Sequence, residues 1–482
     1  MSAPDPSASA TELGPIGRLG RLAAEHRRQV FAAWVLIAVG LGILAPRVET
    51  ALSGAGWQAD GSESVTAREQ IDRNFAGAGS YALQVVVHSR DQRASAPAFR
   101  ATVDRAERVL RADPDVGEVV APRRRVSISP DGHTAVIRAG AAADANAMVD
   151  AAERLKPRLD DAAGPQVAVN LSGASGMWSD FNQANREAML KSELISWPVT
   201  MAILVLAFGS LVAAGLPLML TIVGLVASAG LLFLGTLIAP ISIWAMNFAL
   251  MFALALGIDY ALFMVVRFRA ALGGGLNPAE AVATTMDTAG KAVLFSALTV
   301  LVSLSAVMLV PSPAFRSTAL GIVVAVLFVL AATLTLLPAV LAKLGPRVNR
   351  LSLPRVRRGE HRSARFARWG ERLWRRPYLF GGLALAALVV VALPVLSLRT
   401  GMPSIKVVPP DDQSRQGYEQ IQEGFGPGAP GAIQVVGPAS AAGAGARAAP
   451  NDRGIARSLP LEQGEGGQAL IEAVPVSDPS TQ

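Results

Sequence analysis

No cysteine occurs in the 482 residues, and histidine and tyrosine appear only four times each. A chain without thiols forms no disulfide, no thiolate metal centre and no cysteine nucleophile. His26, His88, His133 and His361 are scattered over different segments, which makes them surface residues and not one metal site. A phosphate-binding loop is also missing: Gly290-Lys291 is followed by Ala292 where serine or threonine is needed, and no glycine stands five residues earlier. Nucleotide hydrolysis therefore finds no support, and no cofactor, metal or catalytic group is expected. Long stretches lack charge as well, acid above all.

What fills those stretches is apolar. Hydrophobic residues make up 51% of the chain and the mean hydropathy is +0.38, above what a soluble multidomain protein carries. Runs of roughly 17 to 25 apolar residues cross a hydrocarbon core as helices. Seven are found, at 29–46, 192–209, 213–235, 242–266, 292–310, 317–342 and 378–396. Pro198, Pro217 and Pro338 lie inside or near span ends, which membrane helices tolerate. Lys and Arg collect at Arg18, Arg21, Arg27 and Arg28, at Arg267, Arg269 and Lys291, and from Lys343 to Arg376, whereas loops 238–241 and 311–313 carry no charge. Positive flanks resist translocation, so these sets alternate only with a cytoplasmic N-terminus (1–28) and a basic cytoplasmic loop (344–377), in the cell membrane. The net charge of +7 is then a topology signal, and nucleic acid is not an expected partner.

The chain also repeats itself. Segment 61–86 recurs at 411–436 with a constant offset of 350 residues: Gln70-Ile71 maps to Gln420-Ile421, Phe75 to Phe425, and Gln84-Val85-Val86 to Gln434-Val435-Val436. The same offset carries Arg18 and Gly20, before the first span, to Arg368 and Gly370, before the last. The first span, short and preceded by Arg27-Arg28, looks like a secretory signal, but its equivalent lies deep inside the chain, so it reads as retained.

Between the first and second spans, residues 47–190 are polar and long enough for an extracytoplasmic domain. Tyr81 to His88 reads as a strand, Ala96 to Ala112 as a helix, Val116 to Val120 as a strand, and Arg125 to Ala139 as a hairpin around Pro130-Asp131-Gly132. Asn146 to Ala162 follows as a helix and Gln166 to Ser172 as a strand. That β-α-β-β-α-β order is the split βαβ plan of ferredoxin-like domains. Gly173, Gly176 and Asp180, where the domain returns to the membrane, read as a turn and helix cap. The predicted fold class is an α-helical polytopic membrane protein of seven transmembrane helices with an extracytoplasmic α+β ferredoxin-like domain.

Asp259 is the one carboxylate well inside a predicted span. It sits eight residues before Arg267, about 12 Å from the inner boundary at 1.5 Å per residue. An ionised carboxylate at that depth costs at least a few kcal/mol, which favours a group that holds a proton and releases it when wetted. Tyr260 is its companion hydroxyl, pointing about 100° away on the helix. In the fifth span Ser296, Thr299 and Ser303 form a polar stripe at helical spacing. Thr299 is predicted at the depth of Asp259, where the stripe would hydrogen-bond the acid and lead water to it. The plain alternative is that acid and hydroxyls only tie helices together. Lys191 and Glu193 read as an interfacial pair that snorkels.

These motifs resemble the mycobacterial membrane protein large (MMPL) family of the resistance-nodulation-division superfamily, over about residues 15 to 436. The most specific element is Leu256-Gly257-Ile258-Asp259-Tyr260-Ala261-Leu262-Phe263 followed by Arg267-Phe268-Arg269, a Gly-x-Asp-Tyr core with a basic exit. Ala270-Ala271 stand where members usually continue with acids. Ala279-Glu280-Ala281-Val282 and the run from Val293 to Val300 support it. The resemblance implies two halves, about twelve spans, two porter domains and proton-driven export of lipids or other hydrophobic molecules, with Gly257 as the motif glycine and Asp259 and Tyr260 as proton relay. The core bundle would be 192–343, the start of a second porter domain 397–436.

After Val436 the fixed offset ends and 437–450 turns into Ala, Gly and Pro. The tail 437–482 reads as disordered, through a shifted reading frame, a truncation or, alternatively, a regulatory tail. The leading expectation is a proton-motive-force-driven exporter of lipids or hydrophobic small molecules, present as an incomplete first half. A second half-transporter chain or a homo-oligomer is the expected partner. The alternatives are a non-transporting lipid- or partner-binding membrane scaffold or sensor, and an inactive fragment.

Overall fold

A computed structural model describes residues 13–54, 56–351, 364–398 and 404–481. His361 and much of the basic loop lie outside them. Among the described residues, seven helices are long and apolar enough to cross a membrane. A short helix, α1 (Pro15–Glu25), precedes the first span, Arg27–Arg47. Helix α2 (Glu63–Asn74) then leads into an α+β unit of β1 (Leu83–His88), α3 (Pro97–Arg111), β2 (Val116–Val120), β3 (Thr134–Ala141), α4 (Ala145–Ala162) and β4 (Ala168–Ser172). The second to sixth spans follow as Gly173–Phe208, Leu211–Thr236, Ile243–Gly273, Pro278–Leu309 and Pro313–Asn349. Amphipathic α5 (Ala364–Arg375) precedes the seventh, Pro377–Ser397. Proline opens the fifth, sixth and seventh spans in their first turn, where its missing N–H costs nothing.

The first α+β unit has the predicted plan. Its strands are antiparallel in the order β2-β3-β1-β4, with α3 and α4 covering one face. Leu83, Val85 and Val87 point into that core beside Phe99, Leu155 and Leu171, following the period-2 alternation of a strand. The second span begins inside this unit: one continuous 36-residue helix runs from β4 to Phe208, so it serves as both stalk and span. Gly209, at φ 64°, ends it in the left-handed conformation that glycine tolerates.

The tail corrects the expectation of disorder. After α6 (Gln413–Phe425), β5 (Ile433–Pro438) is followed by α7 (Ala439–Ala448), β6 (Ile455–Ser458), β7 (Glu462–Gln463) and β8 (Gln468–Pro475). β8 pairs antiparallel with β5, β6 and β7, so β5, β6 and β8 repeat β1, β2 and β3. Gln84 stands opposite Arg138 in the first sheet and Gln434 opposite Glu472 in the second. Within the Ala- and Gly-rich stretch that looks like low complexity, Ala442 of α7 is buried with Ala469 and Ile471. The constant offset is lost because α7 follows β5 directly, where α3 follows β1 only after the connection 89–96, and because α7 has 10 residues where α3 has 15; the repeat resumes beyond it.

The two units exchange helices. Ile71 and Phe75 of α2 pack on Val436 and Leu470 of the second sheet. Ile421 and Phe425 of α6, their repeat equivalents, pack on Val86 and Val136 of the first. In the bundle, Ala245, Ala249, Ala253, Gly257 and Ala261 recur every fourth residue along the fourth span and are all buried. Small side chains let helices approach where lipid supplies no hydrophobic drive. A Cβ on Gly321 of the sixth span would overlap the Ala245 backbone, and one on Gly257 would lie 2.6 Å from Thr221 Oγ1.

Candidate functional site

The face of the fourth span opposite its small-residue stripe carries Met251, Ala255, Asp259 and Phe263, all exposed. Asp259 therefore sits on the outward side of this bundle, with no hydrogen bond or ion pair among the described residues. Tyr260 turns the other way and is 4% exposed. Its hydroxyl lies next to Ser296 of the fifth span, without the geometry of a full hydrogen bond. The structure thus brings Tyr260, not Asp259, to the hydroxyl stripe. Thr299 turns its hydroxyl back to the Phe295 carbonyl at 2.9 Å, as helix hydroxyls do when no other acceptor competes. Ser296, Thr299 and Ser303 are exposed, so the expected bond from the stripe to the acid is not formed.

The basic exit of the fourth span has defined partners. Arg269 donates to the Phe208 carbonyl at 2.6 Å, satisfying an orphan acceptor at the end of the stalk helix. Arg267 donates to Thr288 Oγ1 at 3.1 Å. Thr288 lies in a π-helical turn, Met286–Gly290, within the fifth span. Such turns leave the regular helical bonding pattern and permit local rearrangement.

A cavity of ≈ 380 Å³ lies between the two α+β units. Apolar Met177, Ile405, Ile421 and Phe425 line it together with Gln84, Tyr418 and Gln434. Arg138 and Glu472, equivalent positions of the two sheets, form an ion pair across it. Gln434 donates to Glu472 at 3.0 Å and to the Ala78 carbonyl at 3.1 Å. The Tyr418 hydroxyl donates to Asp478 at 2.7 Å. Burial works against the charge of Asp478, but hydrogen bonds from Tyr418 and Ser480 outweigh it and hold its carboxyl well below the usual range.

Sequence reasoning missed a clamp beside this cavity. Lys156 of α4 donates to Ser179 at 2.9 Å and pairs with Asp180 of the stalk helix, both being buried. Asp180 accepts the Ser414 backbone N–H at 2.9 Å, capping α6, whose own N-cap residue Asp412 makes no capping bond. Ser62, the repeat equivalent of Asp412, caps α2 in the ordinary way through Val65 N–H. Burial lowers the Lys156 affinity for its proton, opposed by Asp180; burial and the neighbouring Asp180 raise Asp412. Asp180 does cap a helix, as the sequence suggested, but the helix is one 234 residues away.

The sequence matches the MMPL family over residues 56–380. It is 30% identical over 429 residues to the mycolic acid-containing lipids exporter MmpL11 of Mycolicibacterium smegmatis, covering 87% of this chain and 45% of that protein. It is 29% identical to the heme uptake protein MmpL11 of Mycobacterium tuberculosis, covering 96% and 50%. With the trehalose monomycolate exporter MmpL3 of Mycolicibacterium smegmatis the identity is 25%, covering 84% and 44%. The chain spans about half the length of these relatives.

Proposed function

The chain belongs to the MMPL family, and from that premise we propose that it is a proton-driven exporter of lipids or other hydrophobic small molecules, and not an enzyme. The observation that carries this reading is Asp259, a carboxylate within a membrane-spanning helix and without a protein partner among the described residues. An intramembrane acid is costly to ionise and marks an ion or proton path by default. Asp259 takes up a proton, its neutral form tolerates lipid, and loss of the proton restores a charge that must be wetted. Tyr260 and Ser296 stand on the same level as the route by which water or protons reach it.

The stalk helix connects this chemistry to the cavity. Its N-terminal turn, including Gly173 and Met177, lines the cavity wall, while its C-terminal end is held by Arg269 of the fourth span. A shift of the fourth span on protonation therefore moves the cavity wall through one rigid element. The outward position of Asp259 suits completion of the proton site by further helices, from a second chain or a second copy. The chain is a multi-pass membrane protein, and the basic segments at Arg18, Arg267 and Lys343 support a cytoplasmic N-terminus in the cell membrane.

Proteoliposomes holding the chain, with an imposed pH gradient and a fluorescent lipid as cargo, test the reading. Gradient-dependent extrusion is expected and Asp259→Asn reduces it to passive leak. Extrusion unchanged in Asp259→Asn overturns the relay. The second reading, a lipid-binding scaffold or sensor, is favoured by the same outward, unpartnered acid; it predicts cargo binding indifferent to the gradient and to that substitution.

A further inference from the structure

Among the described residues, the charged ones lining the cavity are Arg138, Glu472 and Arg457. Arg138 and Glu472 neutralise each other. Among the described residues Arg457 has no such partner: its Nε is buried without an acceptor, and the hydroxyl of the adjacent Ser458 is buried and unpaired as well. The guanidinium instead lies over the Phe425 ring, 5.8 Å from its centroid, a contact that holds the cation in place without consuming its donors. Arginine stays charged in any protein environment and presents a planar fork matched to carboxylate or phosphate. Buried donors in native structures are nearly always satisfied, so an orphaned arginine N–H at a cavity wall points to an acceptor that arrives with a ligand.

The rest of the wall says what the ligand carries besides its charge. Phe425, Ile421, Ile405 and Met177 are apolar side chains of the wall, and a volume of ≈ 380 Å³ falls within the roughly 300–1,000 Å³ of small-molecule sites. We propose that Arg457 makes this cavity a binding site for anionic amphiphiles, with the phosphate or carboxylate head on Arg457 and the chain along Phe425 and Ile421. The Arg138–Glu472 pair then sets how strongly the site favours anions, because Glu472 holds the second cation in reserve. This inference rests on the exporter reading for its meaning in transport, but the binding itself needs no gradient.

The test is binding of cis-parinaric acid, a fluorescent fatty carboxylate, to the chain in nanodiscs, corrected against empty nanodiscs. Dodecyl phosphate, dodecyl maltoside and dodecyltrimethylammonium compete as anionic, neutral and cationic twelve-carbon probes. Dodecyl phosphate is expected to compete at least about tenfold better than the other two, as a charge-assisted contact implies. Arg457→Gln loses that preference, and Arg457→Lys keeps part of it. Glu472→Gln, by freeing Arg138, tightens anion binding, an effect that misfolding cannot imitate. Equal competition by the neutral probe, or unchanged anion binding in Arg457→Gln, overturns the proposal. Asp259→Asn separates the two readings: anion binding that survives while export is lost supports both, and export that survives while Arg457→Gln loses binding leaves the site standing and the relay refuted. Laurate set against dodecyl phosphate tells a carboxylate source from a phosphate source.

Discussion

The repeat is satisfied outside the bundle and unsatisfied within it. Outside the bundle β5, β6 and β8 repeat β1, β2 and β3, and α2 and α6 cross between the two units to fill equivalent hydrophobic seats. The first and seventh spans, which the same offset relates, differ in their surroundings. The first lays Trp34 into the bundle, where its indole N–H donates to Thr335 at 2.9 Å, while the seventh buries none of its residues. Gly20 and Gly370 show the contrast most sharply. A Cβ on Gly20 would strike Met286, and one on Gly370 meets nothing within 4 Å among the described residues. One sequence pattern thus encodes an element, but the surface it meets decides whether that element is packed.

The contrast can be broken at graded cost. Lys156→Met leaves Asp180 buried and uncompensated, a loss of about 3–5 kcal/mol for a broken buried pair, whereas Arg73→Met at the exposed pair with Glu69 costs at most about 1 kcal/mol. Both are read as apparent melting temperature in nanodiscs, and equal shifts would remove the clamp from the account. Phe75→Ala empties a buried seat and should cost about 3 kcal/mol. Phe425→Ala, in the half-buried equivalent, should cost less, and the reverse order contradicts the reciprocal packing. Gly20→Leu overpacks the bundle by about 1–3 kcal/mol, while Gly370→Leu stays within about 0.5 kcal/mol.

The smallest effect is one of pH. The folded Asp478 carboxyl is held below its unfolded value near 3.9, so its contribution is complete above that value and disappears as the pH falls toward the folded one. Tyr418→Phe removes one of the hydrogen bonds responsible. Acid titration between about pH 5 and 2, the range set by the unfolded and depressed carboxyl values, followed by hydrogen exchange in β8, should show the second unit opening at higher pH in Tyr418→Phe. Coincident curves would mean that the Tyr418 bond adds nothing.

Much of this was legible in the sequence. Seven spans, the first ferredoxin-like unit and its strand order follow from apolar runs and alternation, which are local signals. The fourth-span motif located Asp259, Tyr260 and Gly257, yet not the direction in which each faces, because that depends on which helices are adjacent. The second unit is hard to read because α7 is built mainly of Ala and Gly with Ala442 as its one buried residue, so the helix that links β5 to the rest of its sheet leaves no periodic hydrophobic mark. Arg138 with Glu472, and Lys156 with Asp180 and Ser414, join positions far apart along the chain. No local spacing announces such pairs. The constant offset between α2 and α6 was the available clue, since it implied that whatever one helix covers in one copy the other covers in its twin.

The exchange of helices around the cavity is the claim on which the rest stands, and the cysteine-free chain lets it be tested by one cross-link. A Cβ placed on Gly417 of α6 lies 3.4 Å from that of Asn170 in β4, close to the about 3.5–4.5 Å of a disulfide, and 2.9 Å from that of Ser172, a clash relieved by Ser172→Gly in the same background. Oxidation of the Asn170→Cys, Gly417→Cys double variant should close an intramolecular bond, seen as a mobility shift reversed by reductant. A control pairing Asn170→Cys with Gly437→Cys, whose added Cβ meets no neighbour within 4 Å, should stay open. No bond in the first pair, or equal bonding in both, would contradict the crossing of α6 onto the first sheet.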